Sequence, residues 1–268
     1  MTTIDENFDS VLAFITTMDK RKLQAGFSES SETGRPKWCG TESYKAATDL
    51  ALYGDMESKS KVQAAVDKIK VQAKLSTTRN VARTVRSVVG TRPCVPAAVQ
   101  GLPNAMYRRL TVKVQKPVVT VAYSMTALAS VDADTIIETG AKLATAIQLA
   151  ERNGVHVNLY AGITARAGKQ IGAPFVKIKD SNKDFDLLRM AYVLINPSFL
   201  RRHFFRWVER TTGLDASSWA VGYGRPLEEG ELKELKLAFK PDHLLAFNQI
   251  RHLTVQELAG MITGKVKQ

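Results

Sequence analysis

Arg79, Arg83 and Arg86 lie at i, i+4 and i+7, and Lys68, Lys70 and Lys74 precede them. On a helix this spacing puts the three arginines on one face, and such a stripe of fixed charge can track a phosphate backbone. Arg108, Arg109 and Lys113 form a second group; in a strand, Arg109, Thr111 and Lys113 share one face. The third group is Arg201-Arg202-His203-Phe204-Phe205-Arg206-Trp207, with Arg202, Arg206 and Arg210 again spaced by four. Phe205, Trp207, Tyr107 and Tyr123 are candidate stacking platforms for bases, the sequence-tolerant contact of single-strand binders. Together these residues offer phosphate neutralisation and stacking, without covalent chemistry. The competing reading makes the charges a solvated helix face and the rings part of the core. Solvated faces usually mix Glu among the Lys, but residues 56–88 contain only Glu57 and Asp67.

Motifs for covalent chemistry are missing from the sequence. It has no GxxxxGK[ST] loop, no GxGxxG after a strand and no GxSxG turn. Gly162, Gly168 and Gly172 have the wrong spacing for a nucleotide loop. Cys39 and Cys94 have no nearby histidine, and two Cys with His156, His203, His243 and His252 scattered apart give no zinc spacing. Both cysteines are expected as buried free thiols of a reducing compartment. The pairs Asp132/Asp134 and Asp184/Asp186 stand where helices begin, which is a capping position. The expectation is no enzyme, no metal and no cofactor, with a nuclease whose site escapes motif reading kept as an alternative.

Charge distribution points the same way. The 268 residues carry a net charge of +12. Residues 1–55 hold six bases and nine acids, whereas residues 56–123 hold 13 bases and two acids, net +11. Charge concentrated in one quarter of a chain steers polyanions toward it. No apolar run reaches the ~18 residues of a membrane helix, and MTTIDENFDS lacks the basic start of a secretory signal. A cytoplasmic protein is expected.

Periodicity assigns the elements that must position these residues. Helices are expected at 4–22, 41–54 and, as one long basic helix, 57–88. Gly90, Pro93, Pro96 and Pro103 make 90–106 an irregular connector. Strands are expected at 110–114, 118–123, 155–163 and 174–180, with a loop at 164–172. Helices are expected from Asp132 or Asp134 to Arg152, over 184–212 with a break at Pro197, and over 227–238. Residues 246–253 read as a strand or a helix. Thr254 with Glu257 signals a capping box. The fold class is α/β: a helical, basic N-terminal region over 1–106, then an open sheet domain over 107–268. No helix-turn-helix, zinc finger, RNP or basic-zipper pattern is present, so backbone-plus-stacking binding of a single strand is expected over duplex reading.

Two resemblances add to this. The strand Val118–Tyr123 runs into Ala122-Tyr123-Ser124-Met125-Thr126, which is similar to the start of a von Willebrand factor A domain, where Asp-x-Ser-x-Ser holds a metal. Ser124 and Thr126 match the hydroxyls, and Ala122 stands at the aspartate. That resemblance implies an open, Rossmann-like sheet whose metal function is lost. The chain as a whole resembles a family of tailed-phage proteins. The carrying residues are Trp38-Cys39-Gly40-Thr41-Glu42-Ser43-Tyr44, Asp49 to Gly54, Val89-Gly90, Val95-Pro96, Gly101-Leu102-Pro103-Asn104-Ala105-Met106, Gly140-Ala141 and Asn196-Pro197-Ser198-Phe199-Leu200-Arg201-Arg202. Within that family it is similar to the single-stranded-DNA-binding transcription activators of podoviruses that carry a giant virion RNA polymerase. The resemblance implies binding to single-stranded DNA (or RNA) in the infected bacterial host, and recruitment of a second phage RNA polymerase to melted promoter DNA. The acidic first 55 residues are a candidate partner surface. An interaction adaptor or virion protein with a metal-free A-type domain is the alternative.

Overall fold

Two stretches of β-branched and apolar residues, Val118–Ser124 and His156–Gly162, lie side by side as parallel strands, Val121 opposite Leu159. They are the centre of a mixed α/β unit. The computed structural model describes residues 1–72, 83–110, 117–128, 130–183, 186–220 and 222–264, with the backbone alone at 65, 68–72, 83, 109, 110 and 133. The chain divides into two compact units. The larger comprises Met1–Leu75 and Val118–Gln268, the smaller Ser76–Pro117.

The larger unit opens with β1 (Thr2–Phe8), α1 (Val11–Lys20), the single turns α2 (Ser30–Thr33) and α3 (Pro36–Cys39), α4 (Tyr44–Tyr53) and α5 (Met56–Gln72). The smaller unit contributes β2 (Arg83–Ser87), β3 (Arg92–Pro93), α6 (Val95–Val99) and β4 (Met106–Leu110). The larger unit resumes with β5 (Val118–Ser124), α7 (Ala133–Arg152), β6 (His156–Gly162), β7 (Ala165–Ala167), β8 (Gln170–Lys179) and α8 (Leu187–Ile195). A π-helical segment (Phe199–Phe204) then runs into α9 (Phe205–Arg210), followed by α10 (Ala216–Trp219), β9 (Arg225–Pro226), α11 (Glu229–Glu234), β10 (His243–Ala246), α12 (Phe247–His252) and α13 (Val255–Ile262).

The large sheet has seven strands in the order β10-β5-β6-β8-β7-β9, with β1 also paired to β8. Strands β10, β5 and β6 are parallel, β6 and β8 antiparallel, and β1 runs parallel to β8. Helix starts follow local chemistry. The Ser10 hydroxyl accepts from Ala13 N at 3.1 Å, Asp132 accepts from Thr135 N at 2.7 Å, and Thr254 and Glu257 close the expected capping box. Helix α7 packs on α8 at Gly140, where a Cβ would stand 2.6 Å from the Leu194 carbonyl. That close approach is open only to glycine.

Several expectations are corrected. Residues 2–8 form a strand because Thr2–Phe8 pairs with Gln170–Val176, and that ladder overrides the helical spacing of the Phe and Leu positions. The first segment is therefore part of the sheet unit, and the boundary expected between 106 and 107 is replaced by Ser76–Pro117 as a separate unit. The helix expected over 57–88 ends at Gln72 within the described residues, and Arg83–Ser87 is a strand. The expected loop 164–172 contains β7 and the start of β8. Cys39 and Cys94 are both buried free thiols.

His203 sits in the π-helical segment with its ring centroid 5.1 Å from Tyr44, 6.1 Å from Tyr192 and 5.3 Å from Phe199. Burial among these rings, with the Arg206 and Arg202 charges beside it, pushes its pKa down to about 3. The folded pKa thus lies below the unfolded one, so the unfolded chain binds the extra proton. Stability from this site is complete above pH ~6.5 and falls as pH drops toward 3. Between pH 6 and 4 the loss should approach ~1.4 kcal/mol per pH unit. Denaturant unfolding of wild type and His203→Leu across that range should give a slope shallower by about one proton in the variant. Equal slopes would show that His203 does not carry this acid sensitivity.

Candidate nucleic-acid interface

The smaller unit, Ser76–Pro117, contains eight bases (Arg79, Arg83, Arg86, Arg92, Arg108, Arg109, Lys113 and Lys116) and no aspartate or glutamate. Its described part is a three-stranded antiparallel sheet in the order β2-β4-β3. Strand β4 is central. Arg86 pairs with Tyr107 on one side and Arg92 pairs with Tyr107 on the other. Residues directly opposite in a ladder share a face, so Arg86, Tyr107 and Arg92 form one row across three strands. The Arg92 guanidinium lies 5.5 Å from the Tyr107 ring centroid. Arg108, the next residue of β4, belongs to the opposite face. Arg86, Arg92 and Arg108 are all exposed, and Tyr107 is half-buried.

The connection from β2 to β3 crosses β4. Gly90 makes this crossing possible, because a Cβ there would stand 2.3 Å from the Tyr107 carbonyl oxygen. The crossing is pinned by Thr91 N donating to the Tyr107 carbonyl at 2.9 Å and Cys94 N donating to the Ala105 carbonyl at 2.7 Å. Hydrogen bonding to the Tyr107 hydroxyl holds the Cys94 thiol below its ordinary pKa, aided by the Ala97 amide and the Arg86 charge. The same bond raises the Tyr107 phenol. The row therefore offers two guanidiniums flanking an aromatic ring, with no carboxylate in its own unit to neutralise them. That arrangement suits phosphates and π faces.

The sequence-predicted residues are distributed unevenly around this row. Arg86 and Arg108 belong to the sheet. Arg83 and Arg109 lie on its strands, described at backbone level. Lys68 and Lys70 are on α5 at the same level, and Lys74, Arg79 and Lys113 lie outside the described residues. The helical stripe expected of Arg79, Arg83 and Arg86 is corrected: Arg83 and Arg86 are strand residues an odd number apart, so they belong to opposite faces. Arg92 was missed. The signal for it was the complete lack of acids over 76–117, which marks every arginine there, including the isolated one.

The third cluster is corrected most strongly. Arg202, Arg206 and Trp207 are buried and cannot meet a nucleic acid. Arg202 donates from Nη1 to the carbonyls of Ser31 and Glu32 at 2.9 and 3.1 Å. Its Nη2 donates to those of Gly34 and Thr41 at 3.3 and 2.6 Å, and its Nε to the Thr41 hydroxyl at 2.9 Å. Arg206 pairs with Asp19 at 3.1 Å and Glu32 at 2.6 Å and lies 3.9 Å from the Tyr44 ring centroid. Arg210 reaches Glu29 at 3.3 Å. Trp207 Nε1 donates to Glu6 at 2.9 Å. Spacing by four did make a stripe, but it faces the segment 18–41 and binds it down. The same contacts engage the acidic first 55 residues internally: Glu6 (also paired with Arg21), Asp19, Glu29 and Glu32 all serve the fold. Phe205 stacks on Tyr223 at 4.1 Å between ring centroids, and Tyr123 is buried.

At the end of β5, the Ser124 hydroxyl lies 2.7 Å from that of Thr164 and 3.2 Å from that of Thr126, and Thr164 N donates to both Ser124 and Thr126 at 3.0 Å. These hydroxyls satisfy one another and the backbone. Among the described residues no group of three His, Cys, Asp or Glu could hold a metal ion, and no helix is long and apolar enough to cross a membrane. No curated protein and no solved structure matches the chain. Residues 2–256, spanning both units, match the family described as Domain of unknown function (DUF7192), and the chain belongs to that family.

Proposed function

We propose that this protein binds single-stranded nucleic acid, with DNA as its ligand, through the sheet of the smaller unit. The observation that carries this reading is the row Arg86–Tyr107–Arg92, with Arg108 on the other face, in a segment with no acid. Guanidiniums neutralise phosphates and release counterions, and an aromatic ring between them stacks a base without reading its identity. An aromatic ring set between guanidiniums is the contact of backbone-plus-stacking binders, which favours a single strand, whose bases are free to stack, over a duplex. In this reading the protein holds melted DNA. Recruitment of a phage RNA polymerase to that DNA is supported by the family resemblance of the sequence alone.

The test is fluorescence anisotropy with labelled single-stranded DNA, its duplex and the matching RNA at two salt concentrations. The expected result is tight, salt-sensitive binding to the single DNA strand and weak binding to the duplex. Absence of binding to all three at moderate salt would remove the function. Where binding is found, a pull-down of phage RNA polymerase with and without the DNA tests the recruitment step. One observation favours a second reading, an adaptor built on a Rossmann-like, A-type domain: the hydroxyls Ser124 and Thr126 close the end of a central parallel strand. Capture of a phage protein by a chain with no nucleic-acid affinity would select that reading.

A further inference from the structure

Within the smaller unit, Arg86-Ser87-Val88-Val89-Gly90-Thr91-Arg92 places two valines between two exposed arginines. Val88 is 66% exposed and Val89 is 72% exposed. Both lie on the crossing between β2 and β3, whose course is set by Gly90 against the Tyr107 carbonyl and by the Thr91 amide bond at 2.9 Å. The Val89 amide also meets the Ser87 hydroxyl at 3.4 Å. The valines are therefore carried on a held crossing.

Two neighbouring apolar side chains held in solvent on a fixed crossing are open to a partner. The charge around these two selects its kind: eight bases and no acid over 76–117 repel a basic surface and attract a polyanion. The apolar parts of a polyanionic nucleic acid are its base faces. Arginines that seat the phosphates on either side would bring the valines against the stack. Valine is β-branched and stiff at χ1, so insertion costs little side-chain freedom.

We propose that Val88 and Val89 form an apolar wedge that enters the base stack and unstacks one step, giving the protein a preference for strand junctions and melted segments. This inference rests on nucleic-acid binding by the smaller unit and deepens it by naming the DNA structure preferred. Insertion is easiest where bases are already unpaired, because an intact duplex adds the unstacking and unpairing cost. The same wedge makes the edge of a melted segment a better ligand than a fully stacked duplex.

The experiment uses the full chain and a forked DNA carrying 2-aminopurine at the junction, whose fluorescence rises on unstacking, alongside the plain single strand. Wild-type protein should raise the fluorescence and bind the fork best. The variant Val88→Ser/Val89→Ser should bind the single strand within about threefold of wild type, because its arginines remain. It should lose the fluorescence rise and bind the fork about tenfold more weakly, the scale expected for losing burial of a few methyl groups. Both valines are exposed, so the variant should melt at the wild-type temperature. An undiminished fluorescence rise in the variant would overturn the wedge while leaving the basic sheet as the binding site. Failure of wild-type protein to bind either DNA would overturn the underlying function itself.

Discussion

Replacing Arg202 by methionine should destabilise the larger unit by about 2–4 kcal/mol, the scale of losing several charge-assisted hydrogen bonds to neutral buried groups at once. Methionine is close in volume, so little of the loss would come from a cavity. What it cannot do is donate. The carbonyls of Ser31, Glu32, Gly34 and Thr41 would lose the guanidinium that now serves all four, at 2.6 to 3.3 Å, and the Thr41 hydroxyl would lose the Nε bond. The Ser31 and Thr41 carbonyls are buried and those of Glu32 and Gly34 partly so; releasing them together costs more than their bonds contributed, because each buried acceptor carries its own desolvation penalty. The segment 31–41 should then detach before the sheet melts. Denaturant unfolding and proteolysis of wild type and variant test this, with Arg189→Ala as the comparison. Arg189 is exposed and, among the described residues, pairs with Asp186 at 3.7 Å, so its loss should be barely measurable. A change below about 1 kcal/mol on Arg202→Met would show that the segment is held by its other contacts.

The second large effect concerns binding. The triple variant Arg86→Ala/Arg92→Ala/Arg108→Ala removes three exposed guanidiniums from a unit with no acids. Each phosphate contact on a single strand contributes about 0.7 to the slope of log affinity against log salt, so loss of Arg86 and Arg92 from the row, with Arg108 met where the strand passes round to the other face, should flatten the slope by about 2. Affinity near physiological salt should fall about 100-fold, roughly 1 kcal/mol per lost contact. Lysine at the same three positions separates charge from shape. It should restore the slope and leave part of the affinity missing, because an ammonium neither forks onto phosphate nor stacks as a guanidinium does. An unchanged slope in the alanine variant would place the phosphate contacts elsewhere in the protein.

Where the sequence reading succeeded and failed follows from which interactions are local. Strands β5 and β6 and helix α7 were legible because a covered strand is apolar throughout and Asp132 caps its own helix. The Thr254–Glu257 box was legible for the same reason. β1 was not, because its evidence lies in Gln170–Val176, over 160 positions away. Arg83 and Arg86 carried perfect helical spacing, yet Thr84 and Val85 between them pair with Arg109 and Arg108, and spacing alone is silent about a ladder. The Arg202–Arg206–Arg210 stripe failed in the opposite sense. Its periodicity was right and its direction was wrong, because one-dimensional charge does not say whether carbonyls and carboxylates wait on the inner side. The feature that did point to the candidate interface was compositional: the acids vanish over 76–117.

The ladders also set an order of assembly during synthesis. Every strand pair of the smaller unit closes within a short span, the widest being Arg83 with Leu110, 27 positions apart. The larger sheet mixes short closures with distant ones: Thr2 waits for Gln170, and the second edge of β5 waits for His243. Short closures are fast and distant ones slow. As the chain leaves the ribosome, the arginine-bearing sheet has all its strands while β1 and β5 still lack partners. A nascent chain at that stage displays uncompensated positive charge beside a messenger RNA, with most of its hydrophobic core unassembled.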